Sequence, residues 1–252
     1  MILIFGGTTE GRQVLDLMKQ VKKPYHYSTK TAVEYQEDGL GIYRFGALDE
    51  QALSNYIQQH AIKWIINAAH PFATLLHNTI DKVSQQLAVP VYRLERVYEE
   101  RQCNKLVHYT KDYATSLKLL FEQFAGKTLM ALSGVQSIPK LEDYWKRHKT
   151  FFRILDRASS IELAAYHQFP ASQLILGYPN KKNADEKAIY QDYQTGVILT
   201  KESGGSGFLA TKIAVALELG LPIIIIKRPP MPPYFTEVNN LERLLEEIKK
   251  WA

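Results

Sequence analysis

The chain has 252 residues, 46 % of them hydrophobic, 23 % charged and 11 % aromatic, which is enough apolar surface for a packed core and too much for a disordered chain. No apolar run approaches the roughly 18 residues of a membrane span, and the single cysteine, Cys103, excludes an internal disulfide framework and a cysteine-only metal site. Lys and Arg number 31 against 26 Asp and Glu, a formal charge of +5 that suits an anionic small molecule, while no basic run or RNA-binding signature points to nucleic acid.

The first five residues are apolar with no basic segment ahead of them, so they read as a strand rather than a secretory signal, and a cytoplasmic protein is expected. Helical spacing of Val14, Leu15 and Met18 marks a helix over 10–20. Short strands follow at 24–28 and 41–45. Asp49 caps a helix running to about His60, and 63–67 is a buried strand. Pro71 suits the first turn of a helix ending near Leu87, and 89–94 is the next strand. Residues 95–105 are charged and aperiodic and form the expected linker. A second series then runs as strand 106–109, helix 112–124, strand 127–132, helix 139–146, strand 150–155, helix 160–167, strand 173–176, helix 183–192, strand 196–200, helix 206–219, strand 222–226 and helix 239–251. Gly220 supplies the left-handed stop after the helix ending at Leu219. The alternation predicts an α/β protein of two Rossmann-like, doubly wound parallel-sheet domains, 1–97 and 98–252, with an interdomain cleft. Ligands in such sheets sit beyond the carboxyl ends of the strands.

The loops at those ends carry the chemistry. After the first strand comes Gly6-Gly7-Thr8-Thr9-Glu10-Gly11-Arg12, a glycine turn opening a helix, where backbone N–H groups can approach a phosphate. Thr8 stands where G-x-G-x-x-G has its middle glycine, so a tight turn without a ligand is the competing reading; the Thr8 and Thr9 hydroxyls are candidates for phosphate hydrogen bonds. The second strand ends at Ser28-Thr29-Lys30 with no acid to hold a ribose 2′-hydroxyl, and Lys30 suits a 2′-phosphate, which favours NADP over NAD. His70, in Asn67-Ala68-Ala69-His70-Pro71-Phe72-Ala73, stands at the mouth of the sheet as a ligand donor or proton shuttle. His70 and His77 have no third ligand at metal spacing, so no metal is expected. Arg93 lies close enough to a strand end to bind a carboxylate, although the mixed run holding Arg96 and Arg101 also reads as a solvated linker. In the second half, Thr200-Lys201-Glu202-Ser203-Gly204-Gly205-Ser206-Gly207 follows a strand and opens a helix bearing Lys212, and Lys227-Arg228-Pro229-Pro230 follows the next strand. Both face an anion or are structural turns.

Taken in order, Gly6–Arg12, His70-Pro71-Phe72-Ala73, Thr200–Gly205, Lys212 and Arg228-Pro229 resemble the precorrin-6A reductases of cobalamin biosynthesis, known in a metal-free and a cobalt-dependent form. The resemblance spans nearly the whole chain. It implies NADPH bound mainly by the first domain, a tetrapyrrole between the domains, and reduction of the macrocycle C18–C19 double bond. Arg93 and Arg96 match basic residues carried there after the fifth strand. Departures lie at Asn67-Ala68-Ala69, at Gly134-Val135-Gln136-Ser137 and at Gly177-Tyr178-Pro179-Asn180. The implied cofactor residues are Gly6, Gly7, Thr8, Thr9, Glu10, Gly11, Arg12, Ser28 and Lys30. Those for the anionic substrate are His70, Arg93, Lys201, Ser203, Gly204, Gly205, Lys212 and Arg228, with His70 and then Glu202 as candidate acids, and water as the alternative proton source. Another NADP-dependent reductase, or a non-catalytic dinucleotide sensor, remains open on the residues alone.

Overall fold

The computed structural model describes residues 1–251, which divide into two compact units, residues 1–97 with 229–251, and residues 98–228. The first unit begins with β1 (Ile2–Phe5), α1 (Thr9–Val21), β2 (Tyr25–Thr29), β3 (Gly41–Phe45), α2 (Glu50–Gln59), β4 (Trp64–Asn67), α3 (Thr74–Gln86) and β5 (Val91–Leu94). The second contains β6 (Val107–Thr110), α4 (Tyr113–Gln123), β7 (Leu129–Ala131), α5 (Glu142–Trp145), β8 (Thr150–Ile154), α6 (Ala158–Tyr166), β9 (Leu174–Leu176), α7 (Asn183–Asp192), β10 (Val197–Lys201), α8 (Leu209–Glu218) and β11 (Ile223–Ile226). The chain then returns to the first unit through β12 (Thr236–Val238) and α9 (Leu241–Lys250).

Each unit has a six-stranded sheet, ordered β12-β5-β4-β1-β2-β3 in the first and β6-β11-β10-β7-β8-β9 in the second, and every ladder is parallel. Both orders reverse at a switch point, β1/β4 in one and β7/β10 in the other, where the connections leave on opposite faces and open a crevice. β1 is buried throughout, and its alternation divides its side chains between two layers. Ile2 and Ile4 pack with Val14 and Met18 of α1 and Leu244 and Ile248 of α9. Leu3 and Phe5 pack with Leu53 and Ile57 of α2 and Ile80 and Val83 of α3. In the second sheet, the four isoleucines of β11 are at most 2 % exposed, as a central strand covered on both faces requires.

Two expectations are corrected. The second domain was expected to run to the C-terminus, yet the last stretch belongs with the first unit. Thr236, Glu237 and Val238 pair with Tyr92, Arg93 and Leu94, and α9 buries Leu244 and Ile248 against α1. A three-residue edge strand behind a proline-rich run has no periodicity to betray it. The helix expected to start at Pro71 starts at Thr74, because residues 70–73 close a turn in which Ala73 N–H donates to the His70 carbonyl at 2.8 Å.

Candidate functional site

At the first switch point the turn after β1 is held from below. Gly6 N–H donates to the Ser28 carbonyl at 3.0 Å and Gly7 N–H to the Tyr27 hydroxyl at 2.8 Å. A side chain at Gly6 would overlap the Tyr27 ring, and a Cβ at Gly11 would come within 2.9 Å of Gly6 Cα. Those two glycines therefore exist for helix–strand packing. Gly7 differs. Its φ is +84°, and a Cβ there would meet nothing nearer than Thr29 at 3.7 Å, so the backbone fronts open space. Thr8 is the N-cap of α1. Its hydroxyl accepts from Gly11 N–H at 3.0 Å and donates to the Ala68 carbonyl at 2.7 Å, tying the β1 loop to the β4 loop. With its proton so committed, Thr8 is a brace, contrary to the expected phosphate bond; Thr9, exposed in the first turn, keeps the capacity for one. The amide N–H groups of a first helical turn lack intrahelical acceptors, which leaves this turn suited to an anion. Glu10 is buried and pairs inward with Arg96 at 2.8 Å, while Arg12 is exposed.

At the ends of β2 and β3, Ser28 is buried and accepts from Arg44 Nη1 at 2.7 Å, and Arg44 Nη2 donates to the Phe45 carbonyl at 3.1 Å. Lys30 is exposed one residue past β2. Sequence reasoning missed Arg44. Its signal is the parallel register that sets Ser28 opposite Arg44, which no local spacing reveals.

The β4 loop rests on a buried network. His77 Nε2 lies 3.1 Å from the His70 carbonyl, and Asn67 Nδ2 lies 2.9 Å from His77 Nδ1. Burial, then the Arg93 charge, push the His77 pKa down to about 4, so this ring is neutral, with Nε2 the donor and Nδ1 the acceptor. Arg93, expected to reach a bound carboxylate, is 1 % exposed. Its Nη1 donates to the Ala69 carbonyl at 2.6 Å and to Asn67, and its Nε pairs with Glu95 at 3.2 Å. It holds the loop instead. His70 is half-buried, and its Nδ1 accepts from Phe72 N–H at 3.1 Å, which leaves the proton of the neutral ring on Nε2.

In the second unit, Glu202 follows β10 and is 5 % exposed. Burial pushes its pKa up, but Arg101, bonded at 2.8 and 3.0 Å, and the Arg228 N–H at 2.9 Å outweigh this and hold it below the usual carboxylate value. An ionised carboxylate does not donate a proton, so the expected acid role of Glu202 is withdrawn. The Arg228 guanidinium lies 3.7 Å from the centroid of the Tyr98 ring. Lys201 is half-buried at the end of β10, next to a loop in which Ser203 and Gly204 are buried and Gly205 is exposed. Lys212 is 3 % exposed, 3.5 Å from the Thr200 hydroxyl, and its pKa is lowered to about 7, chiefly by burial and then by Arg153.

Comparison with known proteins fixes the family. The Precorrin-6x reductase CbiJ/CobK family model matches residues 1–249. The chain belongs to this family. Precorrin-6A reductases are oxidoreductases of cobalamin biosynthesis that act on a CH–CH group. Similar proteins include a cobalt-precorrin-6A reductase of Priestia megaterium, 28 % identical over 98 % of both chains, and a precorrin-6A reductase of Rhodococcus erythropolis, 27 % identical over 95 % of this chain and 94 % of that one. The cobalt-precorrin-6A reductase of Methanocaldococcus jannaschii is 24 % identical over 98 % of this chain and 99 % of its own. Among solved structures, a CobK precorrin-6A reductase shares the fold with a TM-score of 0.78 at 19 % identity, covering 98 % of this chain and 96 % of that one. Among the described residues, no helix of this reductase is long and apolar enough to cross a membrane.

Proposed function

We propose that this family member reduces the C18–C19 double bond of precorrin-6A, or of its cobalt form, with NADPH, in the cytoplasm. The observation that carries the cofactor assignment is Gly7, whose positive φ and open front provide a cradle that any Cβ would fill. NADPH, when bound, supplies a hydride; the rest of the work falls to the chain. The Thr9 hydroxyl and the first-turn amides of α1 hold the pyrophosphate, with Gly6, Gly7 and Gly11 shaping the turn and Thr8 bracing it. Arg12 adds an exposed positive charge beside it.

The macrocycle carries acetate and propionate carboxylates. Lys201 and Arg228, at the ends of β10 and β11, are their partners, with the Ser203–Gly205 loop between them and Lys212 adding charge from beneath. A carboxylate near Lys212 would favour its protonated form. His70 contributes an Nε2–H donor to the substrate. With Nδ1 already accepting from Phe72, the ring is poorly arranged for the imidazolium form, so we assign the proton delivered to carbon to water.

Loss of NADPH absorbance under anaerobic conditions, with metal-free and with cobalt-containing substrate in parallel, tests the reading. Consumption with either macrocycle supports it. Tight NADPH binding with no consumption by any tetrapyrrole would replace it with a dinucleotide sensor, and turnover of a smaller substrate alone with a different reductase.

A further inference from the structure

Arg44 and Lys30 come together at one end of the first sheet. β2 and β3 run parallel with Ser28 opposite Arg44 and Thr29 opposite Phe45, and Gly46 N–H binds the Thr29 and Lys30 carbonyls at 3.0 and 3.2 Å. The end of β3 is thereby clamped to the end of β2. The guanidinium is aimed by neutral groups alone, namely the Ser28 hydroxyl, the Phe45 carbonyl and the Tyr56 ring, 5.7 Å away. A Cβ at Gly46 would stand 3.4 Å from Arg44 Nη2, so the glycine with φ +107° keeps room beside the fork. Among the described residues neither Arg44 nor Lys30 has a carboxylate partner. Asp38, in the β2–β3 loop, is engaged at the opposite end of β3, by Tyr25 and the amides of Leu40 and Gly41.

We propose that Arg44 and Lys30 form a seat for a ribose 2′-phosphate, with Arg44 as the residue that makes this chain select NADPH over NADH. The proposal rests on the cofactor reading above. A guanidinium presents its N–H groups in a planar fork matched to two phosphate oxygens, and two of its five are engaged here. Lys30 adds a second, exposed charge. Ser28, expected to touch the cofactor, acts through Arg44 by fixing its direction.

Binding titrations of NADPH, NADH, adenosine 2′,5′-bisphosphate and 5′-AMP test it with the full chain. The wild type should favour NADPH over NADH and the bisphosphate over 5′-AMP. Arg44→Gln should lower NADPH affinity by about tenfold or more and leave NADH affinity nearly unchanged, which also reports that the unit is folded. Arg44→Lys should fall between, because it keeps the charge and loses the fork. Lys30→Gln, at an exposed position, gives an independent reading if Arg44→Gln does not fold, and should lower the NADPH preference as well. A wild type that binds both dinucleotides equally, or an NADPH preference that survives both glutamine substitutions, overturns the 2′-phosphate seat and leaves the reductase reading standing. A wild type that binds neither dinucleotide overturns the cofactor reading itself.

Discussion

His70 and His77 show how one residue type takes two roles within seven positions. His77 is sealed in the core with both ring nitrogens on the loop, while His70 is half-buried and accepts at Nδ1 from Phe72 N–H. His70→Ala is accordingly expected to raise KM for the macrocycle about tenfold, as loss of one hydrogen bond to a charged group does, and to leave the shape of the kcat–pH profile unchanged. Steady-state kinetics across pH decide it; an acid limb that vanishes in the variant would return the proton-donor role to His70. Burial lowers the pKa of both His77 and His26, the latter also facing His60. For a histidine depressed in the folded state, stability is complete above the unfolded value near 6.5 and falls as pH drops, because the unfolded chain takes up protons first. The loss from His77 should be about 3 kcal/mol between pH 6.5 and 4, levelling below that. Urea midpoints measured across this window should fall, and His77→Asn should remove much of the slope.

Elements were legible where their own residues fix them. Asp49 caps α2, as its position before an apolar-periodic run foretells, and Gly220 ends α8 with φ +67°; Asp112, read as the first residue of its helix, is instead the N-cap of α4. The glycine turn after β1 was also visible, yet its parts divide in a way no spacing discloses. Tyr27 explains Gly6 from the neighbouring strand, and of the three glycines Gly7 alone fronts open space. Gly7→Val therefore places a branched side chain at positive φ and fills that front. The strain should cost on the order of 1–3 kcal/mol and lower Tm without unfolding the unit, while dinucleotide binding is lost. Circular dichroism with a titration separates the two effects; intact binding would show that the cradle lies elsewhere. Arg93 marks the opposite limit. Its place near the end of β5 suggests a reach toward substrate, and only the tertiary structure shows four acceptors already around it.

The two six-stranded sheets share one plan, five strands ordered about a switch point and a sixth added at the edge, taken from the far end of the chain in the first unit and from the start of the unit in the second. In the first unit that strand is β12, and in the second it is β6. The strand–helix rhythm announced both sheets, and it misplaced the last segment because β12 is short and exposed on two of its three residues. Trp251 stacks on Trp64 with ring centroids 4.5 Å apart, whereas Trp145 lies in the second unit with its indole N–H on the Ile138 carbonyl at 2.8 Å. A chain ending at Arg228 should therefore lose stability in the first unit alone. Its dinucleotide affinity should collapse, while Trp145 fluorescence still reports a cooperative transition. Unchanged unfolding of both units would refute the pairing of β12 with β5.

The same pairing sets an order of completion during synthesis. A ribosome makes β1 to β5 before the second unit and the partner of β5 after it, so the earlier-begun unit is the later to finish. At roughly 5–20 residues per second, the β5 edge waits unpaired for on the order of ten seconds while the whole second unit is translated and is free to close on itself. During that interval a growing chain presents an open parallel edge, the surface most prone to join a neighbour on the same message.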